Sequence, residues 1–119
     1  MNKSKVTFIL HKPQLSENIG ACARAIKNFD FQNLYLIDPK PIFPNDKILA
    51  TSVGAKDIIK RSKVFNNLES SLGDIDILIA TSARFRNKNV KHIILEGLKQ
   101  IECRKIIGFF FGSEASGLS

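Results

Sequence analysis

The chain has 119 residues, 44% hydrophobic and 24% charged, with 18 Lys and Arg against 11 Asp and Glu, a formal net charge of +7. That length fits one domain of about 100–150 residues with an ordinary core. No run nears the roughly 20 apolar residues of a membrane span, and the basic start Met1–Lys5 leads into only a short apolar stretch, so a cytoplasmic protein is expected, neither membrane-bound nor secreted.

In chain order, Val6–Leu10 reads as a first strand. Ser16 then stands as a candidate helix N-cap with Glu17 as a favourable first-turn acid. Ile19, Cys22, Ala23, Ala25 and Ile26 form an apolar stripe closed by Phe29. Leu34–Ile37 is a second strand, and Pro39, Pro41 and Pro44 make the segment after it an extended loop. Asp46 to Ser62 reads as one or two helices broken near Gly54, and Asn67 to Leu72 as a short one. Strands follow at Ile75–Ala80 and Ile106–Phe111, with a longer helix from Val90 to Ile101 between them that puts Ile94, Leu95 and Leu98 on one side. The strand segments are short, rich in β-branched and aromatic residues, and nearly continuous in their apolar character, as parallel strands covered on both faces are. Alternation of strand and helix implies an α/β fold, a parallel sheet with flanking helices and right-handed crossovers. With no repeat, low-complexity tract or Gly/Ser linker, residues 1–119 read as a single unit.

The charge excess favours a polyanionic partner, because neutralised phosphates release condensed counterions; a merely soluble basic protein is the alternative. The cysteines Cys22 and Cys103 form no CxxC pair, and His11 and His92 are the only histidines, so no zinc site is expected and the thiols read as small apolar groups. Open parallel sheets bind ligands beyond the carboxyl ends of their strands. That directs attention to residues 11–18, 38–46, 81–91 and 112–119. GxGxxG is absent. Gly112 to Gly117 has the GxxxxG spacing of a phosphate loop, but Leu118 replaces its lysine and Glu114 would repel phosphate. Those glycines suit a backbone running close to a flat, less anionic ligand, or a simple turn.

At the first strand-to-helix junction, Asn18 and Gly20 occupy the opening turn, where a small residue suits close approach by a ligand. Asn18 and Arg24 lie about 120° apart around a helix, so they do not face one another, though they can flank one phosphodiester or ribose. The plainer reading is a cap residue and a solvated charge. Arg84, Arg86, Lys88 and Lys91, with no acid among them and Phe85 between two arginines, combine phosphate contacts with a stacking aromatic, as RNA loops are held; a solvated loop is the alternative. No Ser/His/Asp set, carboxylate pair or metal cluster is apparent.

Together these segments resemble the SpoU branch of the SPOUT RNA methyltransferases, and within it the TrmJ-like tRNA 2'-O-ribose methyltransferases. Asn18-Ile19-Gly20-Ala21-Cys22-Ala23-Arg24-Ala25 is similar to the family's first motif, N-I-G-x-x-x-R-A. Asn33 to Pro39 looks like its second strand, and Thr81-Ser82-Ala83-Arg84 like the T-S-A-R of the TrmJ-like branch. Phe111 to Ser119 resembles F-G-x-E-x-x-G-L-[ST]. The resemblance spans essentially the whole chain with the motifs in order. It implies an alpha/beta knot domain acting as a homodimer, S-adenosylmethionine as methyl donor, and transfer to a ribose 2'-hydroxyl of tRNA or rRNA. By position it implies Asn18, Arg24 and Glu114 as catalytic and Thr81, Ser82, Ala83 and Gly112 against the donor, while the basic patch leaves Arg84, Arg86, Lys88 and Lys91 as the candidate RNA contacts.

The family pattern continues past the second motif to a third segment that completes the donor pocket and ties the knot, whereas this sequence stops at Ser119. The expectation is therefore a domain incomplete at its C-terminus, without the knot-forming segment, and with Phe109, Phe110 and Phe111 partly exposed. Three readings stand: an RNA 2'-O-methyltransferase; a truncated domain binding RNA through Lys56–Lys63 and Arg84–Lys91 without catalysis; and a split-gene fragment without its own function.

Overall fold

Apolar segments too short for long helices and too continuous for a half-wet sheet pair side by side in a computed structural model that describes residues 3–81 and 105–112. The elements run β1 (Val6–His11), α1 (Ser16–Asn28), β2 (Asn33–Ile37), α2 (Asp46–Thr51), α3 (Lys56–Arg61), β3 (Lys63–Phe65), α4 (Leu68–Ser71), β4 (Ile77–Thr81) and β5 (Ile107–Phe111). All pairings are parallel, in the order β3-β2-β1-β5-β4. The expected parallel α/β architecture is thus present. The Val90–Ile101 helix lies outside the described residues.

The central strands β1, β2 and β5 are buried along nearly their whole length, which is why their sequences lack alternation. One face presents Phe8, Leu34, Leu36, Phe109 and Phe111 to Ile19, Cys22 and Ile26 of α1, Ile48 of α2 and Ile58 of α3. The other buries Ile9, Tyr35, Ile37 and Phe110 with Phe65 and Leu68 against them. Phe8 is the hub, edge-on to Phe31 at 5.3 Å between centroids and stacked with Phe109 at 5.7 Å and Phe111 at 6.5 Å. Such ring pairs add about 0.5–1.5 kcal/mol each beyond area burial.

The expected exposure of Phe109, Phe110 and Phe111 is not found: they are 0%, 8% and 1% exposed. The reason is topological. β5 sits between β1 and β4, so it has a hydrogen-bonded neighbour on each side and a core on each face. The edge falls instead to β4, whose Leu78 is 37% exposed, and to β3, a three-residue strand with Lys63 and Val64 exposed, which the sequence did not signal.

Two local expectations are also corrected. Ser16 is the first residue of α1 and not its cap; Leu15 holds that position in extended conformation, with no side-chain cap bond. The Ser16 hydroxyl instead accepts from Nδ2 of Asn45 at 3.0 Å. Gly20 does not open the helix to a ligand. A Cβ there would lie 2.8 Å from both the carbonyl carbon and the Cβ of Thr51 and overlap its Oγ1, so the missing side chain lets α2 pack on α1. The break between α2 and α3 falls at Gly54, whose φ of 79° is a left-handed conformation that favours glycine. Asn45 and Asn67 cap α2 and α4 through their Oδ1 atoms.

Candidate functional site at the carboxyl ends of the strands

Register fixes which strand ends meet. Thr81 closes β4 opposite Phe111 of β5, and Leu10 of β1 stands opposite Phe111 on the other side. Gly112 therefore follows β5 between the ends of β1 and β4. It is half-buried, and it lies on the same edge of the sheet as Thr81 at the neighbouring end of β4.

The loops on this edge are tied together. The Lys12 amide donates to the Ile37 carbonyl at 2.7 Å, that of Asp38 to Phe65 at 2.8 Å, and that of Lys40 to Pro13 at 2.9 Å. Lys12 and Asp38, which follow β1 and β2, both adopt left-handed backbone (φ 52° and 46°), a conformation costly outside glycine and asparagine and often found at functional sites. The start of α2 locks onto the start of α1: Asn45 Nδ2 donates to Ser16 Oγ, and Lys47 pairs with Glu17 at 2.7 Å. This exposed ion pair adds about 0–1 kcal/mol, and its main effect is to orient the first turn.

That turn carries Asn18 on an exposed face. Arg24, also exposed, lies about 9 Å farther along the helix axis and about 120° around it. The structure thus places Asn18 near the strand ends and does not bring Arg24 beside it within one copy. Ser82, Ala83, Arg84, Arg86, Lys88, Lys91 and Glu114 lie outside the described residues, and for Thr81 only the strand position is described. Cys22 is buried in α1, as a small apolar thiol should be.

His11 opens the segment 11–18 that the sequence places on this edge, with no role assigned to it there. It ends β1 with its ring 5.4 Å from that of Phe110. Burial holds its imidazole below the usual value, the neighbouring Lys12 charge adds to that, and Asp38 opposes it. A half-buried histidine kept neutral beside the strand ends can accept or donate one hydrogen bond there without adding charge. A lone His at the end of an apolar run carries too little pattern to assign it a role from sequence. Among the described residues no group of His, Cys, Asp and Glu is placed to hold a metal, and no helix is long and apolar enough to cross a membrane.

Residues 5–119 match the model of the SpoU rRNA Methylase family. A protein of Methanocaldococcus jannaschii named tRNA (cytidine-2'-O-)-methyltransferase TrmJ is 34% identical over 118 residues, covering 95% of this chain and 51% of its own length. TrmJ of Z. mobilis superposes with a TM-score of 0.76 at 30% identity, covering 95% of this chain and 52% of that one. A probable methyltransferase from Bordetella pertussis superposes with a TM-score of 0.80 at 27% identity, covering 98% and 74%. The chain spans about half the length of the curated TrmJ relatives it matches.

Proposed function

The chain belongs to the SpoU methylase family, and from that premise we propose that it forms the methyltransferase domain of an RNA 2'-O-ribose methyltransferase acting on tRNA, with S-adenosylmethionine as the methyl donor. The observation that carries this reading is the meeting of Thr81 and Gly112 at adjacent strand ends, with the opening turn of α1 fixed nearby. The names of the TrmJ relatives and the formal charge of +7 support RNA as the substrate.

The bound donor supplies an electrophilic methyl group on a sulfonium sulfur. In this proposal the backbone around Thr81, Ser82, Ala83 and Gly112 holds and orients it. Asn18 and Glu114 position the ribose. The guanidinium of Arg24 serves as a fixed cation that orients the 2'-hydroxyl and stabilises the charge developing on that oxygen. The hydroxyl proton passes to an RNA phosphate oxygen or to water. Arg84, Arg86, Lys88 and Lys91 contact RNA phosphates. Because Asn18 and Arg24 point about 120° apart on α1, one copy alone does not converge them, which favours a homodimer in which each copy completes the other's site.

The test is calorimetric titration of the chain with S-adenosylmethionine beside transfer of a tritiated methyl group to unmodified tRNA. We expect heat of binding and RNA-bound label that Arg24→Ala abolishes. Neither heat nor transfer in the wild type overturns the reading.

A further inference from the structure

The edge of the sheet opposite the donor site carries its own cavity. It has a volume of about 490 Å³ and opens where β1, β2, β3 and β5 begin, with Lys5, Thr7, Tyr35, Arg61, Lys63 and Asp74 in its wall. That volume lies within the range of about 300–1,000 Å³ usual for small-molecule pockets. Three cations face one carboxylate, and they come from three separate elements: the turn before β1, the end of α3, and the first residue of β3.

Arg61 and Lys63 are held in position by neutral groups. Arg61 Nη1 donates to Oε1 of Gln32 at 3.2 Å, and Lys63 Nζ lies 5.8 Å from the centroid of the Tyr35 ring. Neither contact cancels charge. Asn33 Nδ2 donates to the carbonyls of Ser4 and Val6 at 2.9 and 3.1 Å, stapling the turn that carries Lys5 onto β2. Arg61 keeps further N–H groups in its planar fork beyond the one given to Gln32, the geometry that binds phosphate oxygens in pairs. Asp74 would oppose a ligand that was anionic throughout. One carboxylate among three cations suits a ligand with a phosphate at one end and hydroxyl or amino donors at the other.

We infer that this cavity is a nucleotide site, with Lys5, Arg61 and Lys63 taking the phosphate and Asp74 accepting from the ribose or base. It is distinct from the donor site, since strands of five or six residues put the two edges about 17–20 Å apart. The inference goes beyond the proposed methyl transfer and does not depend on it. The phosphate can belong to a free nucleotide or to an RNA strand, and the same chemistry holds either.

The test follows the amides of Thr7, Tyr35 and Lys63 by NMR as the isotope-labelled chain is titrated with uridine 5'-monophosphate, with uridine as the phosphate-free control. Arg61 and Lys63 are exposed, so the double variant Arg61→Gln, Lys63→Gln should keep its fold, which the amide spectrum checks. We expect the monophosphate and not uridine to shift these amides, and the double variant to bind it about tenfold or more weakly, the worth of one charge-assisted hydrogen bond. A parallel titration with a short oligouridylate assigns the source. A strand bound about tenfold more tightly than the monophosphate, and weakened by the same substitutions, supports the site as one for RNA. A strand bound no more tightly supports it as one for a free nucleotide. The inference is overturned if the monophosphate moves none of these amides or only those of His11 and Gly112, if uridine binds equally well, or if the double variant keeps wild-type affinity. Loss of methyl transfer has no bearing on any of these readouts.

Discussion

Replacing Gly20 with alanine tests whether this glycine serves helix packing or ligand approach. An added Cβ would sit 2.8 Å from the carbonyl carbon of Thr51 and 2.8 Å from its Cβ. Rotating the Thr51 side chain does not relieve the first contact, and it gives up the bonds from Oγ1 to the carbonyls of Lys47 at 2.8 Å and Ile48 at 3.2 Å. A clash against backbone belongs at the upper end of the overpacking range, about 3 kcal/mol. Alanine in a helix interior recovers about 1 kcal/mol relative to glycine. The net loss is about 2 kcal/mol, which with a urea slope of about 2 kcal/mol/M lowers the midpoint by about 1 M at unchanged slope. Urea unfolding followed by circular dichroism reads this directly, with Ala21→Gly on the exposed face of the same helix as a control that loses only about 1 kcal/mol of propensity. A Gly20→Ala protein as stable as the wild type, or more so, would refute the packing argument and restore the ligand-approach reading of this glycine.

Arg24→Ala removes an exposed cation, so stability should stay within about 0.5 kcal/mol while methyl transfer falls about a hundredfold or more; an equal loss of both would make Arg24 structural. Asn45→Ala removes the cap of α2 and the tie to Ser16, and should cost about 1–2 kcal/mol in urea unfolding, whereas Asn45→Asp keeps the acceptor for the Ile48 amide and should recover part of that. The His11 imidazole is held below its usual value, so the unfolded chain takes up that proton more readily than the folded one. Stability from this group is present above the unfolded value of about 6.5 and is lost as pH falls below it, so the wild type should lose more stability than His11→Gln between about pH 7.5 and 5.5. Equal losses in the two proteins would remove His11 as the cause.

How far sequence alone reaches depends on how local the cause is. β1, β2 and β5 were legible because burial on both faces leaves continuous apolar runs, and the break at Gly54 because a left-handed residue there favours glycine. β3 was not, since three residues at an edge with Lys63 and Val64 exposed carry no pattern. The exposure expected of Phe109–Phe111 rested on the third segment as the strand's cover, whereas β5 lies between β1 and β4 with a core on each face. Ser16 and Gly20 sat in the right turn with the wrong partners. Asn45 and Thr51 lie about thirty residues away in sequence, and only the folded packing of α2 on α1 assigns them. For the same reason the cavity lined by Lys5, Arg61, Lys63 and Asp74 left no motif: the Lys56–Lys63 run reads as basic, but Lys5 and Asp74 join it only in the folded chain.

The most direct test of the proposed activity is where the methyl group goes. The chain is incubated with unmodified tRNA and labelled S-adenosylmethionine, the RNA is digested to nucleosides, and the labelled product is identified by mass. We expect a 2'-O-methylated nucleoside whose yield collapses with Arg24→Ala. Label on a base, or no labelled nucleoside at all, would contradict ribose methylation by this domain.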